Sequence, residues 1–475
     1  MSSEELWAKI KEDVSNEWDT SIVPALSKYI EVPNQSPDFD PEWKSNGLTQ
    51  KAFTILIDWV KSLGLNGVSL EYIDDGERTP FLMVEIAGTE AMRNSVLMYG
   101  HMDKQPPLYP WGDGLDPYKP AVVDGKLYGR GASDDGYAVF TALQSIYALQ
   151  KNSVPHGKVN VIIESCEESG SFDLPYYMDM FKDKIGDVDL MICLDSGCLN
   201  YDQIWLTTSL RGVTGGILNV QTLTESMHSG VAGGVVPDTF RIIRTLLDRV
   251  EDAKTGEVLL PEAHCEIPED VKKSLSAMNS VPFKEQFALF PGVHCTTEKN
   301  DELALNNFWK PNLTVTGADL PDPKVAGNVI RSVSSAKLSL RLPPLVDATK
   351  ATQALEKVLT QNPPYGAKVW FEPEAPGDGC AMNKLHPWLE SALNDASQMS
   401  YGKPFACQGM GGAIPFISML QKMYPSAQFL VTGVLGPKSN AHGPNEFLHL
   451  GYVKGLTLGM CRVLAAHFLN SPKLK

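Results

Sequence analysis

Apolar residues over the first 205 positions fall into two alternating patterns. Spacings of three and four over Thr49–Leu63 and Tyr137–Gln150 predict helices, whereas short, mainly apolar runs at Ser95–Tyr99, Lys158–Ile163 and Val188–Leu194 predict strands buried on both faces. Alternation of this kind predicts an α/β unit built on a largely parallel sheet flanked by helices. From Gly212 the pattern changes. Two-residue alternation appears at Gly216–Leu223 and Ala336–Leu342, a further strand is expected at Ala367–Glu372, and helices are expected from Pro237-Asp238 to Val250 and over Ala348–Thr360. That order predicts a small α+β layer with its helices on one side of a sheet. A helix over Pro387–Met399, an apolar run at Phe429–Val431 and a closing helix near Leu456–Leu469 then restore the first pattern. The smaller domain, residues 211–384, is therefore expected as an insertion between residues 1–210 and 385–475 of a larger one. The Pro- and Gly-rich stretch Glu251–Asp322 predicts no defined element.

At 475 residues the chain exceeds what one core normally holds, which agrees with two domains. Hydrophobic residues at 43% and charged residues at 21% are in globular balance, and the net charge of -16 disfavours nucleic acid and anionic membrane surfaces as partners. The opening MSSEELWAKIKEDV has no apolar core of the secretory type, and no run reaches the roughly 20 apolar residues of a membrane span. Eight cysteines show neither a Cys-x-x-Cys pair nor disulfide-dense spacing, so a reducing, cytoplasmic setting is expected.

Candidate chemistry collects where the apolar runs end. Ser95–Tyr99 is followed by Gly100-His101-Met102-Asp103, Lys158–Ile163 by Glu164-Ser165-Cys166-Glu167-Glu168, Met191–Leu194 by Asp195, and Phe429–Val431, after a loop, by Ala441-His442-Gly443. A fifth segment, Gly129 to Gly136 with Asp134-Asp135, leads into a helix. Ligands in open parallel sheets bind beyond the carboxyl ends of the strands, so these groups are expected to converge. Singly, each has a plain reading as a hydrogen-bonded loop, a solvated turn or a helix cap. Four such residues at one sheet edge make a site the better account. Two carboxylates about 5 Å apart repel by roughly 3 kcal/mol at an effective dielectric of 20, so the cluster calls for cations. Imidazole with carboxylate oxygen suits zinc or manganese, and a shared carboxylate can bridge ions about 3.5–4 Å apart. His-Glu-x-x-His, Gly-x-Gly-x-x-Gly and Gly-x-Ser-x-Gly are all missing from the sequence, which argues against single-zinc helix proteases, dinucleotide enzymes and serine hydrolases.

In their order, His101-Met102-Asp103, Leu127-Tyr128-Gly129-Arg130-Gly131 through Asp134-Asp135, Glu167-Glu168-Ser169-Gly170-Ser171, Asp195, His228-Ser229-Gly230, Leu340-Arg341-Leu342 and Ala441-His442 resemble the co-catalytic metallopeptidases. The resemblance is closest to the branch of cytosolic nonspecific dipeptidase and carnosinase, and it spans most of the chain. It implies a ferredoxin-like lid and dimerisation domain and two divalent ions per subunit, zinc before manganese. His101 and Asp195 would hold one ion, Glu168 and His442 the other, and Asp134 would bridge them. Asp103 would orient His101. Glu167 would act as general base and acid, taking the proton of water held between the ions and returning it to the leaving amine of a dipeptide. His228 would reach the neighbouring subunit's site in a homodimer, and Arg341, with Asn328, Gly412 and Ala413, would face substrate.

The chain departs from its relatives at three places, one of them Ile330-Arg331, where they carry Ile-Pro. Their Asp-Asp-Lys-Gly reads Asp134-Asp135-Gly136-Tyr137, and their Arg-Glu-Gly-Gly-Ser-Ile-Pro reads Gly409-Met410-Gly411-Gly412-Ala413-Ile414-Pro415. Ligation should survive these changes. Substrate choice is left open between dipeptides and, on the same scaffold, N-acyl amino acids or carboxypeptidase substrates; a non-catalytic, metal-stabilised binding protein is the remaining alternative. Arg331 is a candidate to replace the lost positive charge.

Overall fold

The computed structural model describes residues 2–91, 95–275, 278, 281, 283–287, 289–412 and 415–471. Its largest sheet has six strands, in the order Val68–Ile73, Phe81–Ile86, Val159–Glu164, Ser95–His101, Val188–Cys193, Gln428–Val431. The first two pairings are antiparallel and the other three parallel. Strand residues alternate between two cores. Val96, Met98, Val161, Ile163 and Ile192 pack with the helices Tyr137–Lys151 and Leu450–Asn470. Leu97, Tyr99, Ile162, Met191 and Val431 pack with Leu174, Tyr177, Phe416 and Ile417 on the other face. Both faces are covered, which is why these strands read as mainly apolar runs. Each fully buried Val, Leu, Ile, Phe or Met favours the fold by roughly 1.5–3 kcal/mol.

A second sheet has four antiparallel strands in the order Asn312–Asp319, Val333–Leu342, Gly212–Gln221, Lys368–Pro373. With the helices Thr239–Leu247 and Ala348–Thr360 its chain order is βαββαβ, the ferredoxin-like arrangement. Leu218, Leu338, Leu340, Ile242, Leu246 and Leu355 give it a core of its own. Asp238 caps the first helix by accepting from Arg241 N, and Asp347 caps the second by accepting from Lys350 N. The strand Asn312–Asp319 lies inside the stretch for which the sequence predicted nothing. It is an edge strand, largely exposed, and so lacks the alternation that marks its neighbours. Between the two sheets, Trp205–Leu210 pairs with Ala406–Met410 in parallel and with Cys380–Ala381 in antiparallel fashion. Among the described residues no helix is long and apolar enough to cross a membrane.

Candidate metal centre

The parallel strands deliver their polar ends to one rim. His101 closes its own strand, opposite Glu164 of the next, and Asp195 follows Val188–Cys193 by two residues. The apolar strand interiors hold the ends in register, so the side chains just beyond them meet. His101 Nε2 lies 3.4 Å from Asp134 Oδ1 and 3.9 Å from Asp195 Oδ2. His442 Nε2 lies 2.9 Å from Asp134 Oδ2 and 3.3 Å from Glu168 Oε2. Asp134 thus turns one oxygen to each histidine. His442 sits in a loop with φ of 62° and its side chain is 56% exposed, while His101 is buried.

Three groups of donors lie within 4.8 Å of one another: His101, Asp134 and Asp195; Asp134, Glu168 and His442; and His101, Glu167 and Glu168. The five expected ligands are therefore in one place, with Glu167 among them. Asp103 does two things here. Its Oδ1 stands 3.3 Å from His101 Nδ1, and its carboxylate accepts from Glu167 N at 3.2 Å and Glu168 N at 3.0 Å, fixing the turn that presents both glutamates.

The charge state of the bare cluster tests whether cations fit. Burial, with the neighbouring Asp134 charge, pushes Glu168 up to about 10, and burial pushes Asp195 up to about 6. Burial and the Asp195 charge push Glu167 well above the usual carboxylate range. Burial also opposes ionisation of Asp134, but its contacts with His101 and His442 win and hold it below that range. Burial works against a charged His101, yet Asp103 and Asp134 outweigh it and raise that imidazole. Burial and mutual repulsion raise Glu167, Glu168 and Asp195 together, as expected where carboxylates crowd without enough positive charge. Two of its atoms, His101 Nε2 and Glu168 Oε1, are buried without a hydrogen-bond partner. Imidazole nitrogens and carboxylate oxygens so placed fit two divalent ions.

The remaining expected residues lie elsewhere. His228 pairs with Val329 in a short exposed ladder, and its Nδ1 accepts from Gly230 N at 3.0 Å. Asn328 adjoins it, its carbonyl accepting from Ser229 N at 2.8 Å. No hydrogen bond or ion pair joins either residue to the rim among the described residues. Arg341 is half-buried on Val333–Leu342. Gly412 is half-buried with open space where a Cβ would stand, and Ala413 lies outside the described residues. Arg331 is committed to Asp319 at 3.0 Å. A Cβ at Gly409 would come within 2.5 Å of Phe308 Cβ, so an arginine has no room there. The guanidinium in this region is instead Arg211, 5% exposed, which donates to Gly411 O at 3.0 Å and Asn312 Oδ1 at 2.7 Å. Burial and the nearby Arg341 charge lower it to about 10, and neither arginine forms an ion pair among the described residues.

Sequence reasoning also passed over Gln105, whose Nε2 donates to Glu168 Oε2 at 2.6 Å, and the buried Asp135, which accepts from His101 N at 3.3 Å. Their proximity to His-x-Asp and to Asp134 was the only available signal.

The model of peptidase family M20/M25/M40 matches residues 97–465. A Beta-Ala-His dipeptidase of Homo sapiens is 25% identical over 484 residues, covering 95% of this chain and 90% of its own. A Cysteinylglycine-S-conjugate dipeptidase of Corynebacterium striatum is 26% identical over 388 residues, covering 82% of this chain and 83% of its own. Among solved structures, human carnosine dipeptidase 1 matches with a TM-score of 0.76 at 22% identity, over 97% of this chain and 98% of that one. A metallo-carboxypeptidase of Sulfolobus solfataricus matches with a TM-score of 0.76 at 20% identity, over 94% and 99%. The two structural likenesses carry the fold.

Proposed function

Since the chain belongs to peptidase family M20/M25/M40, we propose that it is a metallo-exopeptidase hydrolysing the amide bond of dipeptides or similarly small peptides. The observation that carries this reading is the two-sided contact of Asp134 with His101 and His442. We assign His101 and Asp195 to one ion, Glu168 and His442 to the other, and Asp134 to both, with zinc the first choice of metal and manganese the second. When bound, such a pair of cations would neutralise the rim, acidify water held there and polarise the scissile carbonyl.

The protein's own groups do the rest. Glu167 takes a proton from water as its oxygen attacks the carbonyl carbon, and returns that proton to the amine nitrogen as the C–N bond breaks. Asp103 would keep the His101 ring turned toward a bound ion, and it holds the backbone of Glu167 and Glu168. Arg341 provides a positive charge for the substrate carboxylate, with Asn328, Gly412 and Ala413 as further substrate contacts.

We take residues 211–384 as an inserted lid and dimerisation domain, between residues 1–210 and 385–475 of the catalytic domain. Its separate core supports this division, as does the return of the chain at Cys380–Ala381 onto Ser209 and Leu210. His228 then acts on the partner subunit's site, stabilising the oxyanion of the tetrahedral intermediate. Exposed Val231, Val235 and Val329 around it offer apolar surface to a second copy. Hybrid dimers test this directly. Mixing Glu167→Gln with His228→Ala subunits, each nearly inactive alone, should restore about a quarter of wild-type activity, because half the dimers then carry one intact composite site of two. Mixtures that stay as inactive as their components would place His228 outside the partner's site. All eight cysteines are free, and we place the protein in the reducing cytosol.

The loss of room for arginine at Gly409 favours a second reading, an N-acyl-amino-acid hydrolase or carboxypeptidase. A panel of free dipeptides, N-acetyl amino acids and longer blocked peptides separates the readings. The dipeptidase reading expects kcat/KM for free dipeptides to lead by at least about tenfold, a difference of roughly 1.4 kcal/mol in transition-state binding. Preference for the acetylated compounds would replace it.

A further inference from the structure

We propose that Glu446, paired with Arg130, is a positioning residue that sets the spacing between Asp134 and His442 and so the metal affinity of the rim. Glu446 is fully buried, and its carboxylate receives five donors. Oε1 accepts from Ser133 N at 3.0 Å, Ser133 Oγ at 3.1 Å and Asp134 N at 3.1 Å. Oε2 accepts from Arg130 Nη1 at 2.7 Å and Gly131 N at 3.0 Å. One of these donors is the amide of the bridging residue itself.

The same pair reaches back to the second histidine. Arg130 Nη2 donates to Gly443 O at 2.7 Å, the carbonyl next to His442, and Gly129 N donates to Glu446 O at 3.0 Å. The strand Phe447–His449 then continues the contact as an antiparallel ladder on Lys126–Tyr128. Two loops more than 300 residues apart are thus fastened as one body, with Asp134 on one side and His442 on the other, 2.9 Å apart. Glu446 touches neither the ligands' reactive atoms nor the place of the substrate. It acts through Asp134 and His442, as hydrogen-bonded carboxylates behind metal ligands do.

A buried ion pair is not by itself a device for stability, since apolar replacements often serve as well. What a Met–Leu pair could not do is bind four separate backbone and hydroxyl donors and hold the Asp134 amide in place. Glutamine cannot do it fully either. Whichever way its amide is turned, its NH2 faces either Arg130 and Gly131 N or Ser133 and Asp134 N.

This inference rests on the two-metal reading. The test measures Zn2+ and Mn2+ binding to full-length wild type and Glu446→Gln by competition with a chromogenic chelator, together with the visible spectrum of the Co2+ forms and the circular dichroism of each. The expected result is a folded variant whose affinity for at least one ion falls about 10- to 100-fold, with an altered Co2+ spectrum. Two ions bound at wild-type affinity with an unchanged spectrum would overturn the inference, even if the melting temperature fell, because Glu446 would then be a structural support only. If Glu446→Gln does not fold, Arg130→Lys decides the matter. It keeps a cation beside Oε2 but loses the arm to Gly443; weakened binding is expected, and wild-type binding overturns the proposal. A wild type that takes up no pair of ions defeats the two-metal reading itself, and this inference with it.

Discussion

Replacing Glu167 by Gln should lower kcat for a good dipeptide by about 100- to 10,000-fold, the range typical of removing a general base, with both metal ions retained. Glutamine preserves the size of the side chain and the backbone bond to Asp103, so the turn presenting residues 167 and 168 should stand. What it loses is the ability to accept and return a proton. Glu167 also lies within ligand distance of His101 and Glu168, which makes the metal content of the variant the deciding measurement. Two ions with turnover lost fits a base. Loss of an ion along with turnover would make Glu167 a ligand, and normal turnover would end its role altogether.

Chelation should abolish activity and lower thermal stability, and readdition of zinc or manganese should restore both. An ion present at 1,000 times its Kd favours the folded state by about 4 kcal/mol, so two ions make this the largest single effect on stability expected here. The pH dependence has a definite sign. In the stripped protein Glu168 and Asp195 are raised to about 10 and about 6, above their unfolded values. The folded rim therefore binds more protons than the unfolded chain, and its contribution to stability falls as pH rises through that window. Metal requires the deprotonated groups, so the increment in melting temperature from added metal should be larger at pH 8 than at pH 5. An increment that shrinks over that range, or a chelated protein with full activity, would contradict the metal assignment.

Much of the site could be read from the chain because burial on both faces leaves a simple trace. The strands that lead to His101, Glu168 and Asp195 are mainly apolar, and a polar residue at or just beyond the end of such a run has few places to go except the sheet's rim. Helix starts at Asp238 and Asp347 were legible for a local reason as well, since a capping carboxylate acts within three residues. Val68–Ile73 and Asn312–Asp319 escaped notice because edge strands, partly wet, need no strict pattern.

Glu446 marks the other limit. In the run Pro444-Asn445-Glu446-Phe447 it is one acid in a loop, and nothing within a dozen residues hints at five donors. They come from a segment more than 300 positions away, beside which two short strands pair. The closure of Gly409 by Phe308 is of the same kind, a close approach between residues about a hundred positions apart. The sequence by itself marked the candidate metal-binding groups and most of the elements that carry them, because periodicity and capping are local properties of a chain. Only the tertiary structure decided how those groups are spaced, which oxygen of Asp134 faces which histidine and what holds them still, because these depend on contacts whose partners no local pattern specifies.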